Sequence, residues 1–298
     1  MATRIQSSTL AALRVQFEAR FQDGLSLASP WSSQLAMEVP SSAGENVYGF
    51  IESIGQFREW IGEREVQAWR EREYRLKNKR FELTYRLNRD KVKDDAGTIA
   101  FAANYMQDMG GSAAAFGDRQ FASILLNNAT CLDGGPFFDP SHTKVDGTTW
   151  SNSLALALDA TNYETVLAAM QSQTNAAGDV LDVGTDFLLC VSPALRGVAQ
   201  RIVSAESVTN VNMGSARVLV IPQLATNSNR WFIAAVGKSV KPLIHQVNEA
   251  PTFTTYDQDR DDCVKNRNEN EYLATFRAGY GVALPHLMFA SDPDGAMT

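Results

Sequence analysis

The residues of this chain that could do chemistry are few and scattered. Asp139-Pro-Ser-His142 sets a carboxylate three residues from an imidazole, a spacing open to acid–base work or half of a metal site. The other histidines, His245 and His286, stand in unrelated contexts and bring no second ligand or orienting group. The alternative for 139–142 is a loop held by its own side-chain hydrogen bonds. Asp257-Gln-Asp259-Arg-Asp261-Asp262 opens like a calcium loop, but its sixth position, which needs glycine, is Asp262. Its twelfth, which needs a bidentate glutamate, is Asn268. No GxxxxGK[ST], GxGxxG or GxSxG occurs. Cys131, Cys190 and Cys263 are far apart with no CxxC pair, so zinc-ribbon and redox readings fail and reduced thiols of a cytoplasmic protein are expected. Without a nucleophile, base and orienter, the reading is of no enzyme, no cofactor and no metal.

The strongest signal is of another kind. Residues 56–93 hold 12 of the 27 Lys and Arg and 7 of the 34 Asp and Glu, with both signs interleaved. The same run carries Phe57, Trp60, Ile61, Trp69, Tyr74, Phe81 and Tyr85. So charged a segment cannot be a core element, and so aromatic a one is no mere solvated linker. It reads as an arm that meets a protein surface, with Phe57, Arg58, Trp60, Glu63, Arg64, Trp69, Arg70, Arg72, Arg75, Lys77 and Lys79 as the expected contact residues. The basic stretch Arg70–Arg80 offers a competing reading as a nucleic-acid strip, since aromatics alternate with cations. Glu71 and Glu73 within it favour ion pairs to a partner of mixed charge.

The chain has 298 residues and a net charge of −7, unevenly spread. Residues 1–93 carry 15 basic and 12 acidic side chains, and residues 94–298 carry 12 and 22. An acidic main body argues against sequence-independent nucleic-acid binding. No stretch reaches the ~20 apolar residues of a membrane span, and the N-terminus lacks the long apolar segment of a secretory signal.

The elements that must position these residues follow from periodicity. Leu10, Leu13, Phe17 and Phe21 form the stripe of an amphipathic helix in 4–22, and the Gly-, Ser- and Pro-rich 23–46 reads as an extended connector, together a loosely attached arm. Val47–Ile54 and the alternating Phe81–Asn88 predict a long two-stranded hairpin with the charged stretch at its far end. A helix follows from Asp94, with Ile99, Tyr105, Met106 and Met109 on one face, ending at Gly110-Gly111. A second helix holds Phe121, Leu125 and Ala129, and about twenty loop residues follow; a loop that long usually has a task or a docking partner. The remainder is mixed: a helix over Thr161–Thr174, strands at Phe187–Val191, Arg217–Pro222 and Trp231–Val236, a short helix at Pro193–Val203, an apolar run at Pro242–Gln246, a polar turn at Tyr256–Asp262 and a final strand at Glu271–Ala283. The predicted class is α+β.

Six blocks in order, Arg58-Glu-Trp-Ile-Gly-Glu-Arg64, Asn78-Lys-Arg-Phe-Glu-Leu-Thr84, Asp94-Asp-Ala-Gly97, Phe137-Phe-Asp-Pro-Ser-His142, Trp231-Phe-Ile233 and Lys241-Pro-Leu-Ile-His-Gln246, span roughly residues 45–285. In that order they resemble the Mu-like bacteriophage and prophage major head subunit family. The resemblance implies an HK-97-like capsid fold. Its parts would be an N-terminal arm (1–44), an E-loop hairpin (45–93), a peripheral domain with a spine helix (94–159 and 256–298) and an axial domain (160–255). It implies a structural subunit forming the hexamers and pentamers of an icosahedral shell around double-stranded DNA, assembled in the bacterial host cytoplasm and resident in the virion. The implied partners are copies of itself, a portal, a decoration protein and a separate scaffolding protein, since no long N-terminal extension precedes the arm. No membrane and no sequence-specific DNA contact is implied.

Overall fold

The computed structural model describes residues 7–50, 72–94, 96–144, 147–175, 178–204, 215–295 and 297. Along the chain run α1 (Ser7–Leu27), α2 (Ser32–Leu35), β1 (Ala36–Pro40), β2 (Glu45–Phe50), β3 (Arg72–Lys77), β4 (Lys79–Asn88), α3 (Arg89–Asp94), α4 (Ala96–Ala114) and α5 (Phe116–Leu126). Then come β5 (His142–Thr143), β6 (Thr149–Trp150), β7 (Ser153–Leu154), α6 (Ala160–Gln171), β8 (Phe187–Val191), α7 (Arg196–Val203), β9 (Arg217–Val220) and β10 (Trp231–Ala235). β11 (Leu243–Tyr256), α8 (Asp262–Arg267), β12 (Glu269–Val282) and β13 (Met288–Ser291) follow. The fold is α+β, in two compact units. One comprises Met1–Pro30, Asn78–Asp118 and Val247–Gly279; the other Trp31–Lys77, Arg119–Gln246 and Tyr280–Thr298.

In the first unit β4 lies beside β12 with β11 on the far side of β12. The β4–β12 ladder is antiparallel and unbroken from Lys79↔Ala278 to Asn88↔Glu269. Leu13, Phe17 and Phe21 of α1 bury against Ala102, Ala103, Met106 and Met109 of α4 and Tyr272 and Ala274 of β12. Phe17 meets Tyr272 edge to face at 5.0 Å, a favourable aromatic geometry. The N-terminal helix is therefore part of a core rather than a loose arm. It also runs on through Gly24 to Leu27, where an extended connector is predicted. The reason lies in the glycines: a Cβ at Gly24 would collide with the Gln107 carbonyl, and one at Gly110 with the Phe21 carbonyl. Two backbones approach so closely only where side chains are missing. For the same reason α4 does not stop at Gly110-Gly111 but continues to Ala114. Packing against α1 outweighs the ~1 kcal/mol that a mid-helix glycine costs.

In the second unit five strands lie in the order β7-β13-β10-β8-β9. β10 runs antiparallel to both β8 and β13, while β8 and β9 are parallel and joined through α7. Every residue of β8, β10 and β13 is buried. The two-residue period sorts them: Leu188, Cys190, Phe232, Ala234, Met288 and Ala290 enter one core with Phe121 and Leu125 of α5 and with Phe137 and Phe138. Phe187, Leu189, Val191, Trp231, Ile233 and Phe289 enter the other with Val166 and Met170 of α6 and Ala199 and Ile202 of α7. A sheet covered on both faces gives continuous apolar runs rather than alternation. β12 is not the last strand; β13 follows and joins this sheet beside β10.

Candidate subunit-contact surface

β2 and β3 form an antiparallel hairpin stem, registered from Glu45↔Lys77 to Phe50↔Arg72. The partner of β2 is thus residues 72–77, not the predicted 81–88, which pair with β12 instead. Asn78, buried at 7% exposure, separates the two strands, and the chain changes sheets there. Alternation in 81–88 specifies a face but not a partner.

One face of the stem is anchored. The Tyr48 hydroxyl donates to Gln246 Oε1 at 2.7 Å, and Gln246 Nε2 donates to the Leu76 carbonyl at 3.3 Å. Tyr74 Oη accepts from the Val282 amide at 3.4 Å, and burial raises its pKa above the ordinary phenol value. Gly281 leaves room for this: a Cβ there would stand 2.8 Å from Tyr74 Oη and 3.1 Å from Leu76. The other face, with Val47, Glu73, Arg75 and Lys77, is exposed. Arg75 lies 3.1 Å from Glu73 and 3.4 Å from Glu45, pairs that are solvated and add little stability. Arg72 pairs with Phe50 through the ladder, while Lys79 begins β4. Of the expected contact residues, Phe57, Arg58, Trp60, Glu63, Arg64, Trp69 and Arg70 lie outside the described residues. Within 72–80 the arrangement is no free cationic strip, because Tyr74 and Leu76 point inward and Arg75 is held by carboxylates.

The catalytic candidate dissolves into a brace. Asp139 Oδ1 accepts from the Ser141 amide at 2.7 Å and hydroxyl at 3.1 Å, capping its own turn. His142 is 2% exposed and pairs with Asp133, Nδ1 to Oδ2 2.7 Å. Its Nε2 faces the Phe137 carbonyl at 3.2 Å and Asn152 Oδ1 at 3.1 Å, and its ring stacks on Trp150 at 4.7 Å. Asn152 in turn donates to the carbonyls of Phe137, Pro285 and Met288. Asn128, in the left-handed region at φ 50°, clasps the Phe138 backbone with both ends of its amide. The long loop is thus sewn to the core that Phe137 and Phe138 enter. Asp133, nine residues upstream, was not readable as the partner because only the turn at Gly134 (φ 84°) brings it round.

The acidic run is likewise engaged. Asp257, 1% exposed, takes a two-pronged hydrogen bond from Arg14 Nε, 2.8 Å to each oxygen, together with a second guanidinium contact. Asp259 pairs with Arg89 at 2.9 Å, and Asp261 Oδ2 accepts from the Gln258 amide. Asn268, which stands where a calcium loop would need glutamate, caps α8 at φ 53° and donates to Asp90. Among the described residues no group of three or more His, Cys, Asp or Glu could hold a metal ion, and no helix is long and apolar enough to cross a membrane.

The fold with this hairpin stem is that of HK-97-like capsid subunits. Over 97% of this chain and 76% of theirs, it superposes on subunits of the bacteriophage JBD30 procapsid with a TM-score of 0.61 at 22% identity. A virus-like particle from Pyrococcus furiosus matches over 93% of this chain and 97% of its own, with a TM-score of 0.53 at 11% identity. The family model of the Mu-like prophage major head subunit gpT matches residues 10–157, 152–224 and 223–295, and the chain belongs to that family. It is 34% identical over 149 residues to the major capsid protein of Escherichia phage Mu, covering 48% of this chain and 48% of the Mu protein, about half its length. With the Mu-like prophage FluMu major head subunit of Haemophilus influenzae it is 24% identical over 277 residues, 91% of this chain and 69% of that protein.

Proposed function

We propose that copies of this chain assemble, as hexamers and pentamers, into the icosahedral head of a Mu-like phage or prophage that encloses double-stranded DNA. The observation that carries this reading is the family match along almost the whole chain, joined to a capsid-type fold. The role is structural, without catalysis. The unit built on α1, α4, β4 and β12 serves as the peripheral domain, the unit built on β8, β10 and β13 as the axial domain. The β2–β3 stem is the base of the E-loop, with Trp60 and Trp69 as aromatic anchors inside a charged rim. Heterologous contacts around rings let one chain meet its neighbours. A separate scaffolding protein, a portal and a decoration protein complete the proposed partners, and assembly takes place in the host cytoplasm. The acidic body suits a container, because a strongly basic wall would pin packaged DNA through counterion release.

Size-exclusion chromatography followed by negative-stain electron microscopy of the purified chain tests this. Shells, tubes or five- and six-fold rings are expected. A monomer that persists at high concentration and under crowding would contradict it.

A further inference from the structure

β4 is the outer strand of its sheet, with β12 on one flank and no strand on the other among the described residues. It is ten residues long, carries no proline, and its ladder to β12 has no bulge. Natural edges are usually shortened, bulged or capped by proline, because a row of unused amides and carbonyls invites another strand. On its apolar face Leu83 and Tyr85 are each 38% exposed, Leu83 facing only the small Ala274 on β12. On its polar face the Glu82 carboxylate accepts from the Thr84 hydroxyl at 2.7 Å and meets no cation among the described residues.

We infer that this edge joins the same edge of a second copy, antiparallel, about a two-fold axis beside Thr84; the inference rests on the reading of the chain as a self-assembling subunit. In that register the strand is complementary to itself. Glu82 of each copy faces Arg86 of the other, whose Nε also holds Glu271 of its own chain at 2.9 Å. Leu83 faces Tyr85, Phe81 faces Leu87, Arg80, itself bound to Glu249, faces Asn88, and the two Thr84 residues meet. Opposite charges, Thr–Thr and aromatic–aliphatic pairs are the cross-strand combinations that stabilise antiparallel sheets. Moving the axis to Leu83 sets Arg80 against Arg86. Moving it to Tyr85 leaves Glu82 facing Asn88 and no ion pair at all. Each facing pair also has the same position in the pleat, so amides directed away from β12 in one copy meet carbonyls directed away from it in the other. An isologous contact of this kind closes on two copies and leaves no free edge for runaway growth.

The test uses the full chain carrying Thr84→Cys. The native Cys131, Cys190 and Cys263 are buried, so the introduced thiol is the reactive one. Copper-phenanthroline oxidation of the soluble fraction and of any particles is expected to give a disulfide-linked dimer. Glu82→Cys alone places the two thiols roughly 13 Å apart along the strands and should not cross-link. A mixture of Glu82→Cys and Arg86→Cys chains should. Adding Glu82→Arg to Thr84→Cys should cut dimer yield at least fivefold, and adding Arg86→Glu as well should restore it. No Thr84→Cys dimer in either fraction, or equal dimer from Glu82→Cys alone, overturns the pairing. Particles are scored separately by electron microscopy. Dimer without particles upholds the pairing and counts against the shell; particles without dimer do the reverse.

Discussion

β10 and β4 are both antiparallel strands of this chain, and they are put to opposite uses. β10 is buried at each of its five residues, its Trp231 donating to the Leu156 carbonyl at 3.0 Å from inside one core and its Phe232 filling the other. β4 exposes seven of its ten residues, and Leu83 and Tyr85 on its apolar face are each left 38% exposed. A strand like β10 stores folding free energy and has nothing left to offer a neighbour. A strand like β4, and likewise the outer face of the β2–β3 stem, leaves surface exposed, and the proposal above assigns that surface to other copies.

That contrast can be broken most forcefully in β10. Phe232→Ala is expected to cost about 3–5 kcal/mol in chemical denaturation, the transfer loss plus an unfilled cavity. A cost below about 1 kcal/mol would place it outside a core. Gly110→Ala comes next. Its methyl has no space beside Phe21, so α1 and α4 must separate, and a loss of about 1–3 kcal/mol is expected in thermal unfolding. An unchanged melting temperature would show that the helices can shift apart freely.

A smaller, pH-dependent effect comes from His286, whose pKa burial pushes down from 6.5 to about 4. The folded protein holds this imidazole neutral, while the unfolded chain takes up its proton. Its contribution is intact above about 6.5 and is lost as the pH falls toward 4. His286→Gln should therefore flatten the fall in melting temperature between pH 6.5 and 4.5; equal slopes would contradict this. At the small end, Leu83→Ser with Tyr85→Ser on β4 should move stability by less than about 1 kcal/mol yet lower particle yield. Equal loss of both would assign the pair to a core.

Much of this was readable in the residues. Phe187–Val191 and Trp231–Val236 announced themselves as strands because a sheet covered on both faces must be apolar throughout, and Arg217–Pro222 through its β-branched run at the edge of that sheet. The stripe of α1 was visible too, and so was a strand beginning near Val47. What escaped was partnership. Phe81–Asn88 shows a strand's alternation whether it pairs with β2 or β12, and only Asn78 marks the change of sheet. Gly110-Gly111 looks like a helix end until α1 is seen crossing there. The second half of β11 was hidden by Pro251, and β13 by its four-residue length. His142 was legible as a residue needing a carboxylate, but its partner is Asp133 rather than Asp139, because a turn and not proximity in sequence brings them together. The contact residues from Phe57 to Arg70 rest on composition and on resemblance.

The division between parts that fold and parts that assemble is tested most directly by replacing residues 52–70 with a short glycine-rich turn, leaving Tyr48, Tyr74 and Leu76 in place. Thermal unfolding and negative-stain electron microscopy are then run on one preparation beside the intact chain. A melting temperature within a few degrees of the intact protein, with particles abolished, is the expected result. A collapse in melting temperature, or particles in undiminished number, would contradict it.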